Sequence, residues 1–78
     1  MDKALTERQK AILGFILDYY AKHHQRWPNI RQIADHFGMN PGAAHAHTKR
    51  IEAKGYLLPF YQPHTGRQSG WLLPEGAL

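Results

Sequence analysis

The run Asn29-Ile30-Arg31-Gln32-Ile33-Ala34-Asp35-His36-Phe37-Gly38-Met39-Asn40-Pro41 decides how this chain folds. Asn29 and Gln32 have the spacing of a capping box, in which each side chain satisfies the other residue's backbone N–H at a helix start. Ile33, Ala34 and Phe37 then share one side of a short helix over 30–37. Gly38 can take the left-handed backbone that ends a helix, and Met39 supplies an apolar plug for the turn. Asn40-Pro41 starts a new helix at once, because proline at the first helical position lacks an N–H that would have no partner there anyway. That helix runs over 41–54 and stops at Gly55. Two short helices joined by so brief a turn predict a helix-turn-helix.

Upstream, Thr6 and Gln9 repeat the capping-box spacing. Behind them Ile12, Phe15, Ile16 and Tyr19 recur at helical intervals, with Leu13, Leu17 and Tyr20 widening the stripe, which predicts a helix over 7–23. His23-His24-Gln25-Arg26 reads as a loop, and Pro28 prevents the helix from continuing. Downstream of Gly55 the period changes. Tyr56-Leu57-Leu58 and Phe60-Tyr61 read as a strand that Pro59 confines to an edge or kinked position. Trp71-Leu72-Leu73 reads as a second strand ended by Pro74, and the stretch 62–70 between them is rich in turn formers. Strand, polar loop, strand is a hairpin over 56–73. The expected fold is mainly α with a small β-hairpin: a winged helix-turn-helix of three helices and a two-stranded wing, forming a single domain over 1–78.

Composition narrows the function classes. The chain has 78 residues, 42% of them hydrophobic, enough for one small core and no more. It has no cysteine, so neither disulfides nor thiolate metal sites are available. No apolar run is long enough to span a bilayer, and Met1-Asp2-Lys3-Ala4 does not open a signal peptide, which leads to the expectation of a cytoplasmic protein with no membrane partner. The formal charge of +4 and a pI of about 9.7 favour an anionic partner. Residues 1–38 carry six Lys/Arg against four Asp/Glu and residues 39–78 four against two, so each half is net +2 and a basic face has to be built by folding.

Catalytic and metal constellations are missing from the sequence. There is no cysteine nucleophile, no Gly-x-Ser-x-Gly and no phosphate-binding glycine loop, so the chain is not expected to be an enzyme and no cofactor is expected. Six histidines invite a metal reading. His45 and His47 point to opposite sides of a helix, however, and no His-Glu-x-x-His set is present, so no functional metal site is expected. Gly55, Gly66 and Gly70 sit where a helix end and a hairpin need them.

Taken in order, Leu5-Thr6-Glu7-Arg8-Gln9, then Pro28 with Ile33-Ala34, Phe37-Gly38, Asn40-Pro41, Ala43-Ala44, His47 and Lys54-Gly55 resemble the N-terminal DNA-binding domain of the LexA repressor family. The likeness covers residues 4–73. It implies a winged helix-turn-helix whose third helix enters the major groove. Repressors of that family also carry a self-cleaving, dimerising C-terminal domain built around a Ser–Lys pair. Residues 1–78 hold no counterpart, so neither property carries over to them.

On a helical wheel, Ala44, Thr48 and Ile51 face the core, and Gly42, Ala46, Lys49 and Ala53 face away. His45 and Glu52 flank the outward side on one edge, Ala43 and Arg50 on the other, and His47 lies near the core boundary. On this reading Lys49 and Arg50 meet phosphates or guanine edges, and Asn40 and His45 offer hydrogen bonds to bases or phosphates. Gly42, Ala43 and Ala46 allow close approach of the helix to the groove. Arg31, with Asn29 and the N–H groups opening the second helix, suits a phosphate. In the wing loop, Arg67 and His64 suit the backbone or minor groove. The expected function is a DNA-binding transcription regulator, a repressor of double-stranded DNA acting as a homodimer. The alternative is a winged-helix module that binds a protein partner as co-regulator or inhibitor, motivated by the small residues on the outward face.

Overall fold

The computed structural model describes residues 4–73. Three helices, α1 (Glu7–Lys22), α2 (Ile30–Phe37) and α3 (Pro41–Ala53), are followed by an antiparallel hairpin of β1 (Leu58–Tyr61) and β2 (Gln68–Leu72). This is a winged helix-turn-helix. Pro74, expected to end the second strand, lies outside the described residues, as do Met1, Asp2 and Lys3.

Each helix start is set by contacts three residues apart. Thr6 Oγ1 accepts from the Gln9 N–H at 3.2 Å while Gln9 Oε1 accepts from the Thr6 N–H at 3.1 Å. Asn29 and Gln32 form the same reciprocal pair at 2.7 and 2.8 Å. Asn40 Oδ1 caps α3 through the Ala43 N–H at 2.8 Å, with Pro41 at the first helical position. Such caps supply partners for N–H groups that a helix start leaves over, each stabilising by about 1 kcal/mol. Gly38 ends α2 with φ +65°, and its turn passes directly into the α3 cap. His24 and Gln25, at φ +55° and +64°, turn the chain sharply after α1.

The core draws on every element. Ile12 and Ile16 of α1, Ile33 and Ala34 of α2, Ala44 and Ile51 of α3, and Leu57 and Trp71 around the hairpin are buried. Burying an Ile, Leu or Trp side chain stabilises by roughly 1.5–3 kcal/mol, so these few residues dominate the packing. Two polar side chains share this interior. Thr48 donates to the His45 carbonyl at 2.8 Å. Gln9 Oε1, besides its cap contact, accepts from Lys54 Nζ at 2.8 Å, and the same ammonium donates to the Ala4 carbonyl at 2.9 Å. Lys54 thereby ties the end of α3 to the start of α1.

The hairpin differs in register from a plain two-strand reading. Leu58 pairs with Leu72 and Pro59 with Trp71, but Tyr61 pairs with Gln68, so β2 carries one extra residue at Ser69–Gly70. This bulge moves the start of β2 three residues ahead of Trp71, where the apolar pattern begins. The pattern could not show it, because Gln68, Ser69 and Gly70 lack strand character of their own. Pro59 is tolerated because a two-stranded sheet has only edge strands. Gly70 has φ +81°, and Trp27 packs against it: a Cβ there would fall 2.6 Å from Trp27 Cγ and closer still to Cδ1. Trp27 in turn stacks on Tyr20 at 4.1 Å and meets Trp71 edge to face at 5.7 Å.

Gly70→Ala combines backbone strain with overlap and is expected to destabilise the domain by about 2–3 kcal/mol, read as a lower urea midpoint. Lys54→Met removes two hydrogen bonds and is expected to cost about 1–2 kcal/mol in the same measurement. An unchanged midpoint in either variant would contradict the packing described.

Candidate nucleic-acid interface

The third helix presents to solvent the side opposite Ala44, Thr48 and Ile51. Gly42, Ala46 and Ala53 are exposed along it, with Arg50 on one flank and His45 on the other. Ala43 is half-buried. Side chains this small leave the helix backbone as the outermost surface, which permits close approach to another macromolecule. Asn40 and Asn29 each commit Oδ1 to a cap, so what they offer outward is the amide NH2, a donor.

The cations divide sharply by type. Every described lysine has an internal partner: Lys10 with Glu7, Lys22 with Asp18, Lys49 with Glu52, and Lys54 with Gln9 and the Ala4 carbonyl. Arg8 lies over the Phe37 ring, 6.0 Å from its centroid. Among the described residues, the guanidinium groups of Arg26, Arg31, Arg50 and Arg67 have no hydrogen-bond or ion-pair partner, and all four residues are exposed. Arg31 stands in the first turn of α2. Arg50 stands on α3. Arg67 lies in the wing turn, where the Gln62 N–H donates to its carbonyl at 2.8 Å and its own N–H donates to Thr65 Oγ1 at 3.2 Å. Gly66, at φ +68°, closes this turn, and His64 is exposed at its tip.

Folding also assembles a cleft of about 540 Å3 between the α1–α2 loop, α3 and β2. Asn29 and His45 line it, with Arg26, Trp27, Gln68 and Ser69. The last four were not singled out by the sequence. Arg26 reads there as one polar residue in a loop, and nothing local reveals that the loop lies beside the wing. Among the described residues, no group of three or more His, Asp or Glu is placed to hold a metal ion, and no helix is long and apolar enough to cross a membrane.

Lys49 and Glu52 behave differently from a solvated helix edge. The Glu52 side chain is only 9% exposed. Its Oε2 accepts from the Trp71 indole N–H at 2.6 Å and from Gln68 Nε2 at 3.1 Å, and its Oε1 lies 3.2 Å from Lys49 Nζ. Lys49 Nζ also donates to Gln68 Oε1 at 3.1 Å and stays 40% exposed. Helix and wing are thus joined by one polar network. Two sequence signals point to it: the i, i+3 spacing of Lys49 and Glu52, and a buried tryptophan whose indole N–H needs an acceptor.

The LexA DNA binding domain family matches residues 2–68. The LexA repressor of Thermosipho africanus (strain TCF52B) is 46% identical over 55 residues, 70% of this chain and 27% of that protein. The LexA repressor of Pseudothermotoga lettingae is 47% identical over 57 residues, 73% of this chain and 28% of that protein. The LexA repressor of Leptospira interrogans (strain Fiocruz L1-130) is 46% identical over 55 residues, again 70% and 27%. The chain thus spans little more than a quarter of the length of these relatives. Given the helix-turn-helix, the wing and a match over most of its residues, this chain belongs to the LexA DNA-binding domain family.

Proposed function

We propose that this domain binds double-stranded DNA and acts as a transcriptional repressor, with α3 in the major groove and the wing loop 62–70 on the backbone or adjacent minor groove. The observation that carries the reading is the outward side of α3, bare of large side chains apart from Lys49 and flanked by an arginine whose guanidinium is unpartnered, with a second such arginine in the wing. An α-helix fits the major groove, and a helix faced with Gly42, Ala43 and Ala46 can sit deep in it. Arg50 and Arg67 supply phosphate or guanine contacts, Arg31 and Asn29 a phosphate near the start of α2, and His45 and Asn40 hydrogen bonds to bases or phosphates. Lys49 has two of its three N–H groups committed internally and offers the third. His64 lies at the wing tip for the backbone. Such a protein works where the DNA is, in the cytoplasm. Two copies on a two-fold site complete the reading, since one domain of this size covers a single half-site.

Selection of bound duplexes from a random pool, repeated at two salt concentrations, tests this directly. A two-fold motif with half-site centres about one helical turn apart is the expected outcome. Arg50→Ala and Arg67→Ala should each weaken binding and reduce the slope of log affinity against log salt by about one. Absence of duplex binding even at low salt, or slopes untouched by both substitutions, would sink the reading.

A further inference from the structure

We propose that Glu52 is a positioning residue for DNA recognition: its carboxylate fixes the wing at a set distance from the recognition helix. The proposal rests on the reading that α3 and the wing both meet DNA. It goes beyond that reading by placing an acidic residue, which repels phosphate, among the determinants of specificity.

The geometry carries it. Glu52 stands on α3 yet reaches both strand residues that define the wing's course, Trp71 through the indole N–H and Gln68 through the amide. Gln68 opens β2 immediately after Arg67, so whatever holds Gln68 sets the backbone from which its neighbour's guanidinium extends. Gln68 Nε2 also donates to the Gly70 carbonyl at 3.1 Å, which pins the bulge. Lys49 closes the network by bridging Glu52 and Gln68 from the outward side of the helix. A hairpin of two strands has little rigidity of its own. Simultaneous contact with a groove and with a neighbouring phosphate or minor groove requires the two elements to keep their spacing. The bond between Glu52 and the indole is charge-assisted and shielded from water, where such bonds are strongest. The buried indole N–H needs an acceptor, and an acidic one beside a DNA-binding face carries an electrostatic penalty.

That penalty makes the test one of sign. Glu52→Gln removes a negative charge near the phosphates. Charge alone predicts that the variant binds every duplex as tightly as the parent or more tightly. Positioning predicts that binding to the selected duplex weakens by about tenfold, equivalent to about 1.4 kcal/mol, while binding to a scrambled duplex does not weaken. The ratio of the two affinities is the readout. Loss of stability alone lowers the folded fraction equally for both duplexes and leaves the ratio unchanged. Gln68→Ala keeps the Glu52–Trp71 bond and alters no charge, so it is expected to fold and to lower the ratio in the same direction. It decides the matter if Glu52→Gln fails to fold. An undiminished ratio in the folded variants overturns the proposal while leaving the parent's DNA binding intact. Failure of the parent domain to bind any duplex overturns the DNA-binding reading and this proposal together.

Discussion

A nine-residue arm of strand structure has no sheet to lean on, so its attachment to the helices governs everything the wing can do. That attachment is Trp71. Its ring meets Trp27 edge to face, its body fills the core beside Leu57, and its indole N–H ends on Glu52. Apolar burial and a charge-assisted hydrogen bond thus act through one side chain. Burial alone would hold the arm near the helices without fixing its angle. The directional bond to Glu52 supplies the angle, and Gly70 makes room for Trp27 on the other side. Removing any of these leaves a hairpin that is marginal by itself.

The same attachment shapes the electrostatics. Lysines are drawn into the frame of the domain, at the start of α1, along its surface and between α3 and the wing. Arginines are left over for the surface. The division suits the chemistry of each. An ammonium can satisfy several oxygens that converge from different elements, as Lys54 does, whereas a guanidinium presents a planar fork matched to phosphate and to guanine. The net charge of +4 therefore understates how unevenly the available positive charge is distributed.

The helices were legible in the sequence because their determinants are local. Thr6 with Gln9, Asn29 with Gln32, and Asn40 with Pro41 each act within four residues, and the structure places a helix start at each. The wheel for α3 put Ala44, Thr48 and Ile51 inside, and all three are buried. The hairpin was legible in kind but not in extent. Its second strand begins at Gln68 and passes through a bulge at Ser69–Gly70, against which Trp27, far away in sequence, packs. Glu52 was read as a flanking residue because a wheel knows nothing of the wing; only folding brings Trp71 and Gln68 to its oxygens. The cleft with Arg26 was hidden for the same reason. What sequence patterns report is which side of an element is apolar. What they omit is which distant element a polar side chain will find.

The three-residue contacts that start the helices have a further consequence, for how readily this domain could acquire new targets. Ala46, Ala53, His45 and Arg50 bear no cap through their side chains and take no part in the core. Exchange of these residues leaves the fold's determinants where they are, so the outward side of α3 can be rewritten without the domain being rebuilt. Gly42 is the exception. A Cβ there would come within 3.3 Å of Asn40 Oδ1, the oxygen that caps the helix, so any side chain at this position must share space with the cap. The surface is a nearly blank page whose first line is already ruled.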